Sequence, residues 1–356
     1  MVNTLLLLCI SIVCLQLLTA VVLFLLTRTN HKIPQQNSDN QITILIPFHN
    51  EEKRINKLIR SLNKVKPSTN FELIFINDHS TDKTFELLMK RLKILHQLIP
   101  NQGEKGKKHA LLEGVKIAAH PFILTWDADI SFSKKYLTYL TTLPLADLVI
   151  LPVQMRSKTW IGKLSSIEFA YMQTLGFGAA AMKNPVFCYG PNLIFSKAGF
   201  LEVDLKRTDY EIPSGDDLFL LKAMLSEKKS VLAYSNWRLS VKTDAPTSID
   251  AIVQQRKRWF GKMGSLLQPT TSFSLILLIS VQFAGLISLA LVWVEPLFLI
   301  PLAIKLFAEI IASTTFVFQK LTHIFVLMVH QIWYPFYLIR LLFPVTAEKR
   351  WETKLN

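Results

Sequence analysis

Four long apolar segments divide the chain. The first covers residues 5–26 and contains no charged residue. At a rise of about 1.5 Å per residue it is long enough to cross a hydrocarbon core of roughly 30 Å. Three more apolar runs lie near residues 271–294, 296–318 and 322–345. This pattern predicts transmembrane helices at both ends of the chain and one water-soluble domain between them.

The middle of the chain, from residue 41 onward, alternates short apolar runs with amphipathic stretches. This alternation is typical of strands joined by crossover helices around a mostly parallel sheet. We expect strands at 42–46, which Pro47 should end, at 71–76 and at 122–126, and helices at 51–66, 82–97 and 107–119. A helical stretch over 160–183 and a turn into a short strand over 189–194 complete the predicted α/β domain.

Polar residues stand at the points where the predicted strands end. Residues 47–51, Asp78, Asp127 and Asp129 all occupy such positions. In sheets of this kind ligands bind beyond the carboxyl ends of the strands. We therefore expect these side chains to converge on one binding site.

The chain carries 40 Lys and Arg residues against 26 Asp and Glu, a formal net charge of +14. The first apolar run is longer than the apolar core of a signal peptide, usually about 7–15 residues, and no basic residue precedes it, so we expect an uncleaved anchor. Arg28, His31 and Lys32 follow it directly, and the positive-inside rule then places the central domain in the cytoplasm, beside anionic headgroups. No nucleic-acid-binding motif accompanies the positive charge. We expect the membrane as a partner and no nucleic acid.

Two acidic strings have positions suited to chemistry. Asp127-Ala128-Asp129 follows a predicted buried strand. Alternating carboxylates on a turn can present hard oxygen ligands to one divalent cation, which also binds the phosphates of a donor. Asp216 and Asp217 begin a predicted apolar helix, which can hold a carboxylate so that it points into a site. The alternatives are a chance acidic surface turn for the first string and a simple helix cap for the second.

Four strings in a fixed order resemble the signatures of the family 2 glycosyltransferases, especially their membrane-bound members. They are Asn77-Asp78-His79-Ser80-Thr81-Asp82, Asp127-Ala128-Asp129, Ser214-Gly215-Asp216-Asp217 and Gln255-Arg256-Lys257-Arg258-Trp259. Two further strings, Pro47-Phe48-His49-Asn50-Glu51-Glu52 and Lys105-Gly106-Lys107-Lys108-His109-Ala110-Leu111, are similar to the family's PxxNE and GKxxAL elements. The resemblance covers residues 41–262.

The resemblance implies a GT-A fold, a Rossmann-like α/β fold with a mostly parallel sheet and flanking helices. It also implies transfer of a sugar, with inversion, from a UDP- or GDP-linked donor. A divalent metal, Mn²⁺ or Mg²⁺, is expected on Asp129, with Asp127 at the ribose or in the metal shell. On the donor side, the resemblance implies that Asp78 binds the nucleobase edge, that Lys107 binds the donor phosphates, and that the nucleotide is lined by Pro47, Asn50 and Glu51. For the reaction itself, it implies that Asp217 is the base, that Asp216 orients the acceptor or accepts a hydrogen bond from it, and that Arg258 stabilises the leaving diphosphate. Trp259 would stack on the acceptor sugar or a lipid-proximal group, and Asn192 and Gln255 would lie on the acceptor side.

Some features of the sequence leave alternatives open. The string that contains Asp78 departs from the family's DDGSTD pattern at Asn77 and His79, so the nucleotide base stays open. The basic helix that holds Arg258 is also interpretable as an amphipathic segment on the membrane. Lys305 and Glu309 stand four residues apart in an apolar run, where we expect an ion pair within one helix, with a transport role as the alternative.

Together these patterns predict a multi-pass membrane glycosyltransferase with a cytoplasmic catalytic domain and a membrane-associated lipid or glycan acceptor. A processive polysaccharide synthase and a catalytically degenerate scaffold of a glycan-assembly complex are the alternatives. The predicted division is an N-terminal transmembrane anchor over 1–27, a linker over 28–40, a catalytic domain over 41–245, an amphipathic interface segment over 246–268, three membrane helices over 269–345 and a basic tail over 346–356. Whether the last membrane run spans the bilayer or is re-entrant is left open.

Overall fold

The computed structural model of the chain describes residues 2–34, 39–66, 68–207, 209–210, 212, 215–263, 269–316 and 321–342. These residues fall into two compact units. The helical unit comprises residues 2–27 and 156–178 and the described residues between 245 and 342, and the sheet unit comprises the described residues of 28–155 and 179–244. Ser214, the predicted basic tail over 346–356 and parts of the predicted linker and interface segment lie outside the described residues.

The sheet unit is built on a mostly parallel sheet, as predicted. Within the described residues, seven strands form this sheet in the order β3-β2-β1-β4-β7-β5-β8, and β6 pairs with β9 in a second, two-stranded sheet. The strands are β1 (Ile42–Phe48), β2 (Phe71–Asn77), β3 (Gln97–Pro100), β4 (Phe122–Thr125), β5 (Leu148–Ile150), β6 (Val153–Arg156), β7 (Leu193–Ser196), β8 (Val231–Ala233) and β9 (Val241–Asp244). Strand β7 runs antiparallel to both β4 and β5, and the other pairs in the large sheet are parallel.

Strand β1 continues through Pro47, which we expected to end it, and stops at Phe48. Along a strand, the backbone groups of successive residues face opposite neighbours. Leu45 O accepts from Trp126 N on the β4 side, and Phe48 O accepts from Asp78 N on the β2 side. Pro47 therefore faces the β4 side, where pairing has already ended opposite Leu45. Its missing N–H costs no ladder hydrogen bond, so the strand tolerates the proline.

The helices of the sheet unit are shorter than predicted. They are α2 (Asn56–Leu62), α3 (Thr84–Arg91), α4 (Lys107–Ile117), α5 (Tyr136–Thr141), α7 (Lys197–Asp204) and α8 (Asp216–Ser226). The helix expected over 82–97 ends at Arg91 because Asn63 Nδ2 donates to Arg91 O at 2.8 Å and Asn63 Oδ1 accepts from Lys93 N at 2.9 Å. The chain is extended at Leu92 and then forms β3, which the helical periodicity did not predict.

Helix α4 packs directly on the sheet through a glycine. A Cβ atom at Gly114 would lie 2.6 Å from Ile76 Cδ1 and 3.0 Å from the Leu45 side chain. The absence of a side chain therefore lets the helix approach β1 and β2 closely. All seven residues of β1 are buried, as expected for a strand covered on both faces. This packing places Lys107, the first residue of α4, at the carboxyl edge of the sheet.

The helical unit contains the apolar segments of the chain. Its elements are most of α1 (Val2–Thr29) and α6 (Trp160–Ala181), together with α9 (Ile249–Met263), α10 (Pro269–Leu291), α11 (Leu299–Ser313) and α12 (Leu321–Leu342). Among the described residues, two segments are long and apolar enough to cross a membrane, Val2–Thr29 and Pro296–Ser313. Helix α1 packs through Leu6, Cys9 and Val13 against Ala284 and Phe298. The last apolar run forms a helix that contains Pro335.

Lys305 and Glu309 form the expected ion pair within one helix. Lys305 Nζ lies 2.7 Å from Glu309 Oε1, and both side chains are buried. Gln331 of α12 hydrogen-bonds both of them, and His330 Nδ1 lies 3.6 Å from Glu309 Oε2. A buried charge is costly without such partners. The pair therefore connects α11 to α12 through a polar contact inside an apolar bundle.

Candidate active site

The acidic side chains predicted to converge do meet at one edge of the sheet unit. Asp78 follows β2 directly, and Asp127 lies two residues after β4. Both strands neighbour β1 and run parallel to it, so their carboxyl ends lie side by side. Helices α4 and α8 bring Lys107 and Asp216 to the same place, where Lys107 contacts both Asp127 and Asp216.

Asp78 is fully buried and organises a loop. Its Oδ1 atom accepts a hydrogen bond from Asn101 Nδ2 at 2.7 Å, and Gly106 N lies 3.1 Å from both carboxylate oxygens. Gly106 has a φ of +145°, a conformation that favours glycine. The loop between β3 and α4 is thereby fixed on the carboxylate, and α4 begins immediately after it. This contact was not predicted, because the resemblance pointed to a nucleobase.

Asn50 shapes the first loop. Its backbone is left-handed, with a φ of +53°, and its Oδ1 atom accepts from Thr81 N at 2.9 Å and Asp82 N at 3.3 Å. Asn50 N in turn donates to Ser80 Oγ at 3.2 Å. These bonds join the loop after β1 to the loop after β2. The amide oxygen of Asn50 is therefore bonded to the loop after β2, and Pro47 lies within β1.

Arg54 is a site residue that the sequence reasoning missed. Its Nε atom lies 2.8 Å from Glu51 Oε2, and its Nη1 atom lies 3.8 Å from Asp129 Oδ2. Glu51 N is held by Thr84 Oγ1 at 2.8 Å. Arg54 therefore stands between the first loop and the predicted metal ligand. The spacing Glu51-x-x-Arg54 is the only sequence signal for it, because residues three apart face each other when the chain is helical.

Asp129 fits the role of a cation ligand. Its Oδ1 atom is buried and has no hydrogen-bond partner among the described residues. A buried carboxylate oxygen left unpaired is costly, and a divalent cation would satisfy it. Within the described part of the chain, no group of three or more His, Cys, Asp or Glu side chains is placed to hold a metal. Phosphate oxygens of a bound donor are hard ligands of the same kind and could complete the coordination of a cation on Asp129.

Lys107 lies at the centre of the acidic cluster. Its Nζ atom is 2.7 Å from Asp127 Oδ1 and 3.4 Å from Asp216 Oδ2. Burial lowers the pKa of this ammonium, but the charges of Asp127, Asp216 and Asp217 outweigh burial, so the pKa is raised overall. Lys107 is therefore positively charged at any physiological pH. The next residue, Lys108, is buried, and its Nζ atom lies 2.6 Å from Asp209 Oδ2.

Asp217 is held by backbone donors at the start of α8. Gly190 N donates to its Oδ2 atom at 2.9 Å, and Leu218 N donates to its Oδ1 atom at 2.8 Å. Gly215, the N-cap of the helix, has a left-handed φ of +88°, which explains the glycine before the acids. The first turn of a helix favours negative charge. The carboxylate of Asp217 is therefore fixed in orientation by the backbone.

Asn192 does not face the site as an acceptor-side residue would. It is fully buried, and its Nδ2 atom donates to Pro152 O at 2.7 Å and Leu239 O at 2.9 Å. Its Oδ1 atom accepts from the hydroxyl of Tyr136. The amide is thus used by the protein itself, and Asn192 supports the turn that carries Gly190. The expectation of a direct acceptor contact by Asn192 is corrected on this ground.

The Gln255-to-Trp259 string lies on α9 of the helical unit. Arg256, not Arg258, is the buried arginine, and its Nε atom donates to Glu168 Oε2 at 2.9 Å. Its Nη1 atom donates to Gln255 Oε1 at 2.5 Å, and its guanidinium lies 4.2 Å from the centre of the Trp259 ring. Arg258 is exposed. Arg256 and Glu168 were not predicted to matter, because only their packing reveals the pair.

The fold is that of the GT-A glycosyltransferases. The mannosyltransferase PcManGT from Pyrobaculum calidifontis, solved in complex with GDP-Man and Mn²⁺, has a TM-score of 0.56 over 92% of this chain and 99% of its own, at 13% sequence identity. Residues 1–349 of S. aureus TarS in complex with UDP are also similar, with a TM-score of 0.43 and 16% identity over 77% of this chain and 90% of that one. The first of these similarities supports the fold assignment.

The sequence places the chain in a family. The model described as "Glycosyl transferase family 2" matches residues 43–164, and the model described as "Glycosyl transferase family group 2" matches residues 122–346, more than half of the chain. The chain therefore belongs to the family 2 glycosyltransferases. The 4,4'-diaponeurosporenoate glycosyltransferase of Staphylococcus aureus (strain USA300) is 34% identical over 96 residues. That match spans 26% of this chain and 25% of the relative.

Proposed function

We propose that the chain is an inverting glycosyltransferase that moves a sugar from a nucleotide donor to a membrane-associated lipid or glycan at the cytoplasmic face. The observation that carries this proposal is the position of Lys107 between two acidic strings. One string, Asp127 to Asp129, is the proposed donor and metal side. The other, Asp216 and Asp217, is the proposed acceptor side. Both strings contribute a carboxylate to the same ammonium group.

In the proposed reaction Asp217 accepts the proton of the acceptor hydroxyl. The hydroxyl oxygen then attacks the anomeric carbon from the side opposite the diphosphate, the bond to the diphosphate oxygen breaks, and the configuration inverts. The fixed orientation of Asp217 suits a general base, which must lie within hydrogen-bond reach of the proton it takes. Lys107 supplies positive charge close to the acids, where the donor phosphates bring further negative charge.

A divalent cation would be held by Asp129, whose buried Oδ1 atom is unpaired within the described residues. When bound, such a cation neutralises charge on the departing diphosphate. Arg54 would have to share Asp129 with it, since the guanidinium already lies 3.8 Å from the other carboxylate oxygen. The Mn²⁺ in the complex of PcManGT supports metal use by this fold.

The membrane setting supports a lipid-linked or membrane-bound acceptor. Helix α1 and the segment Pro296–Ser313 are long and apolar enough to cross a bilayer, and the basic residues after α1 favour a cytoplasmic sheet unit. The Staphylococcus aureus relative, a quarter of whose length matches this chain, is named a 4,4'-diaponeurosporenoate glycosyltransferase. We propose that residues 41–245 form the catalytic domain and that 246–268 form an interface segment, in which Arg258 and Trp259 act on the product side.

A donor screen tests this function. The full chain in detergent is incubated with UDP- and GDP-linked sugars, with and without Mn²⁺ or Mg²⁺, and the unfolding temperature and the release of nucleotide diphosphate are measured. We expect one nucleotide class to raise the unfolding temperature, more so with metal, and to be slowly hydrolysed. A chain that neither binds nor cleaves any nucleotide sugar under any metal condition contradicts the enzyme proposal and favours the scaffold alternative.

Topology is tested separately by cysteine labelling. Lys134 is exposed in the sheet unit, so Lys134→Cys in a background without the three native cysteines provides a reporter. We expect labelling by a membrane-impermeant maleimide only after the cells are permeabilised. Labelling in intact cells would place the sheet unit outside and refute the cytoplasmic assignment without touching the chemistry.

A further inference from the structure

The loop that follows β8 is tied to the chain segment that leaves α1. Ser235 N donates to Asn30 O at 3.0 Å, and Asn236 Nδ2 donates to His31 O at 2.6 Å. Helix α1 ends at Thr29, so these acceptors are the first two residues after it. The loop is therefore fixed beside the point where the apolar helix enters the sheet unit.

This corner of the sheet unit presents an exposed aromatic ring among exposed cations. Trp237 is 48% exposed, and the guanidinium of Arg238 lies 5.8 Å from the centre of its ring. Burial lowers the pKa of His31 most, and the charges of Arg28 and Arg238 lower it further. We call the exposed residues the basic-aromatic patch; they are Arg28, Lys32, Trp237 and Arg238.

The composition and position of the patch fit a lipid surface. Indole rings are amphipathic and are enriched at membrane–water interfaces, and Lys and Arg beside a membrane helix are attracted to anionic headgroups. A nucleic acid would also meet the charge requirement. Lipid is favoured because the patch continues directly from a helix apolar enough to cross a bilayer, and this continuity holds it at the interface.

The inner side of the same loop contacts the turn that holds the proposed base. Leu239, the last residue of the short 3₁₀ turn that contains Trp237, is fully buried, and its carbonyl accepts from Asn192 Nδ2 at 2.9 Å. Asn192 stands two residues after Gly190, whose N–H donates to Asp217 at 2.9 Å. Ordered contacts within the sheet unit therefore connect the patch to the proposed base.

We propose that the basic-aromatic patch is a second membrane contact, which binds anionic lipid headgroups and so sets the height of the catalytic acids above the bilayer. This inference rests on the proposed membrane anchoring by α1 and goes beyond it. It does not depend on which donor or acceptor is used. The contact would hold the sheet unit in one orientation, so that an acceptor in the membrane always meets the base at the same depth.

The full chain is reconstituted into nanodiscs of phosphatidylcholine, with or without phosphatidylglycerol, using brominated lipids as fluorescence quenchers. The quenching of Trp237 is the difference in quenched fluorescence between the wild-type chain and Trp237→Phe. This subtraction removes the signal of the other tryptophans. We expect quenching of Trp237 to be several-fold greater with phosphatidylglycerol. Hydrogen exchange of the amides at 235–239 in the wild-type chain is a second readout, and we expect slower exchange with phosphatidylglycerol.

Arg238→Glu should abolish the response to phosphatidylglycerol. The matched control is Lys90→Glu, which makes the same charge change at an exposed position on α3, outside the patch, and should keep the response. No Trp237 quenching, or equal quenching in both lipids, overturns the proposal. Slower exchange with a short single-stranded oligonucleotide but not with phosphatidylglycerol would assign the patch to nucleic acid instead. A chain that does not enter nanodiscs at all contradicts the proposed membrane anchoring, which separates the two failures.

Discussion

Lys107 Nζ lies 2.7 Å from Asp127 Oδ1, which joins the first residue of α4 to the turn after β4. The same ammonium lies 3.4 Å from Asp216 Oδ2. The Lys107 ammonium thus contacts carboxylates from two motifs that are almost ninety residues apart in the sequence. Without it, the acids would repel each other at close range in a partly buried site. Lys107 therefore holds together the proposed donor and acceptor sides.

Lys107→Met should reduce turnover by about 10²-fold or more, the range found when a charge-stabilising donor is removed from an active site. Lys107→Arg should retain part of the activity, because it keeps the charge with a different shape. The measurement is the rate of sugar transfer or donor hydrolysis at saturating donor. Lys90→Met, at an exposed position on α3, is the matched control and should be unchanged. Activity of Lys107→Met above about a tenth of wild type would contradict the central role.

Asp217→Asn should lower transfer by about 10²–10⁴-fold while nucleotide-sugar binding persists, because only the proposed proton acceptor is lost. Asparagine keeps the size of the side chain, and its amide oxygen can accept from Gly190 N, whereas the bond from Leu218 N to the other carboxylate oxygen is lost. Donor binding is followed by thermal shift, and transfer by product formation.

Asp216→Asn is the comparison that separates the two acids. We expect a smaller loss of transfer, because Asp216 contacts Lys107 and is proposed only to orient the acceptor. If Asp216→Asn were the more severe variant, the base would have to be reassigned to Asp216. Both changes are isosteric, so both variants should fold, with Asp217→Asn the less stable of the two because it loses the bond from Leu218 N.

Asp129→Asn should weaken Mn²⁺ binding together with metal-dependent donor binding. The carboxylate supplies a hard, charged oxygen for the cation, and the amide supplies only a neutral one. Electron paramagnetic resonance of Mn²⁺, titrated into the full chain with the nucleoside diphosphate present, measures the binding directly and does not require turnover. Glu104→Gln removes an exposed carboxylate at the same edge and should leave Mn²⁺ affinity unchanged. Full activity of the wild-type chain in a strong chelator would contradict the metal assignment.

The strands and the acidic positions could be predicted from the sequence because they follow from local patterns. The apolar run over 42–46 and the polar residues after each strand indicate a buried strand with a ligand edge whatever the neighbours are. Contacts that depend on a distant partner could not be predicted in this way. Asn63 ends α3 by binding Arg91 and Lys93, and nothing within α3 itself signals the cap.

The same limit explains what was missed at the site. Asp78 was expected to face a nucleobase, but the loop that covers it is set by Gly106, whose unusual φ cannot be read from its neighbours. Asn192 lies in the predicted turn before a short strand. Only the packing of the fold shows that its amide group donates to Pro152 O and Leu239 O. Motif positions thus indicated which segments meet, while the partner of each side chain required the fold.

The last prediction concerns Arg256 and Glu168, a fully buried ion pair in the helical unit. Glu168→Gln should destabilise the chain by several kcal/mol, since removing one partner of a buried pair typically costs about 3–5 kcal/mol. The double variant Glu168→Leu with Arg256→Met should recover much of the loss, because no unpaired charge is left in the interior.

If the pair only supported the fold, the double variant would also be active. We expect it to be stable and impaired, because Arg256 also holds Gln255 Oε1 and covers the Trp259 ring. The decisive readout is the ¹⁹F resonance of 5-fluorotryptophan at Trp259, assigned with Trp259→Phe: a shifted or broadened signal together with reduced transfer supports orientation of the motif by Arg256, and wild-type activity in the stable double variant refutes it.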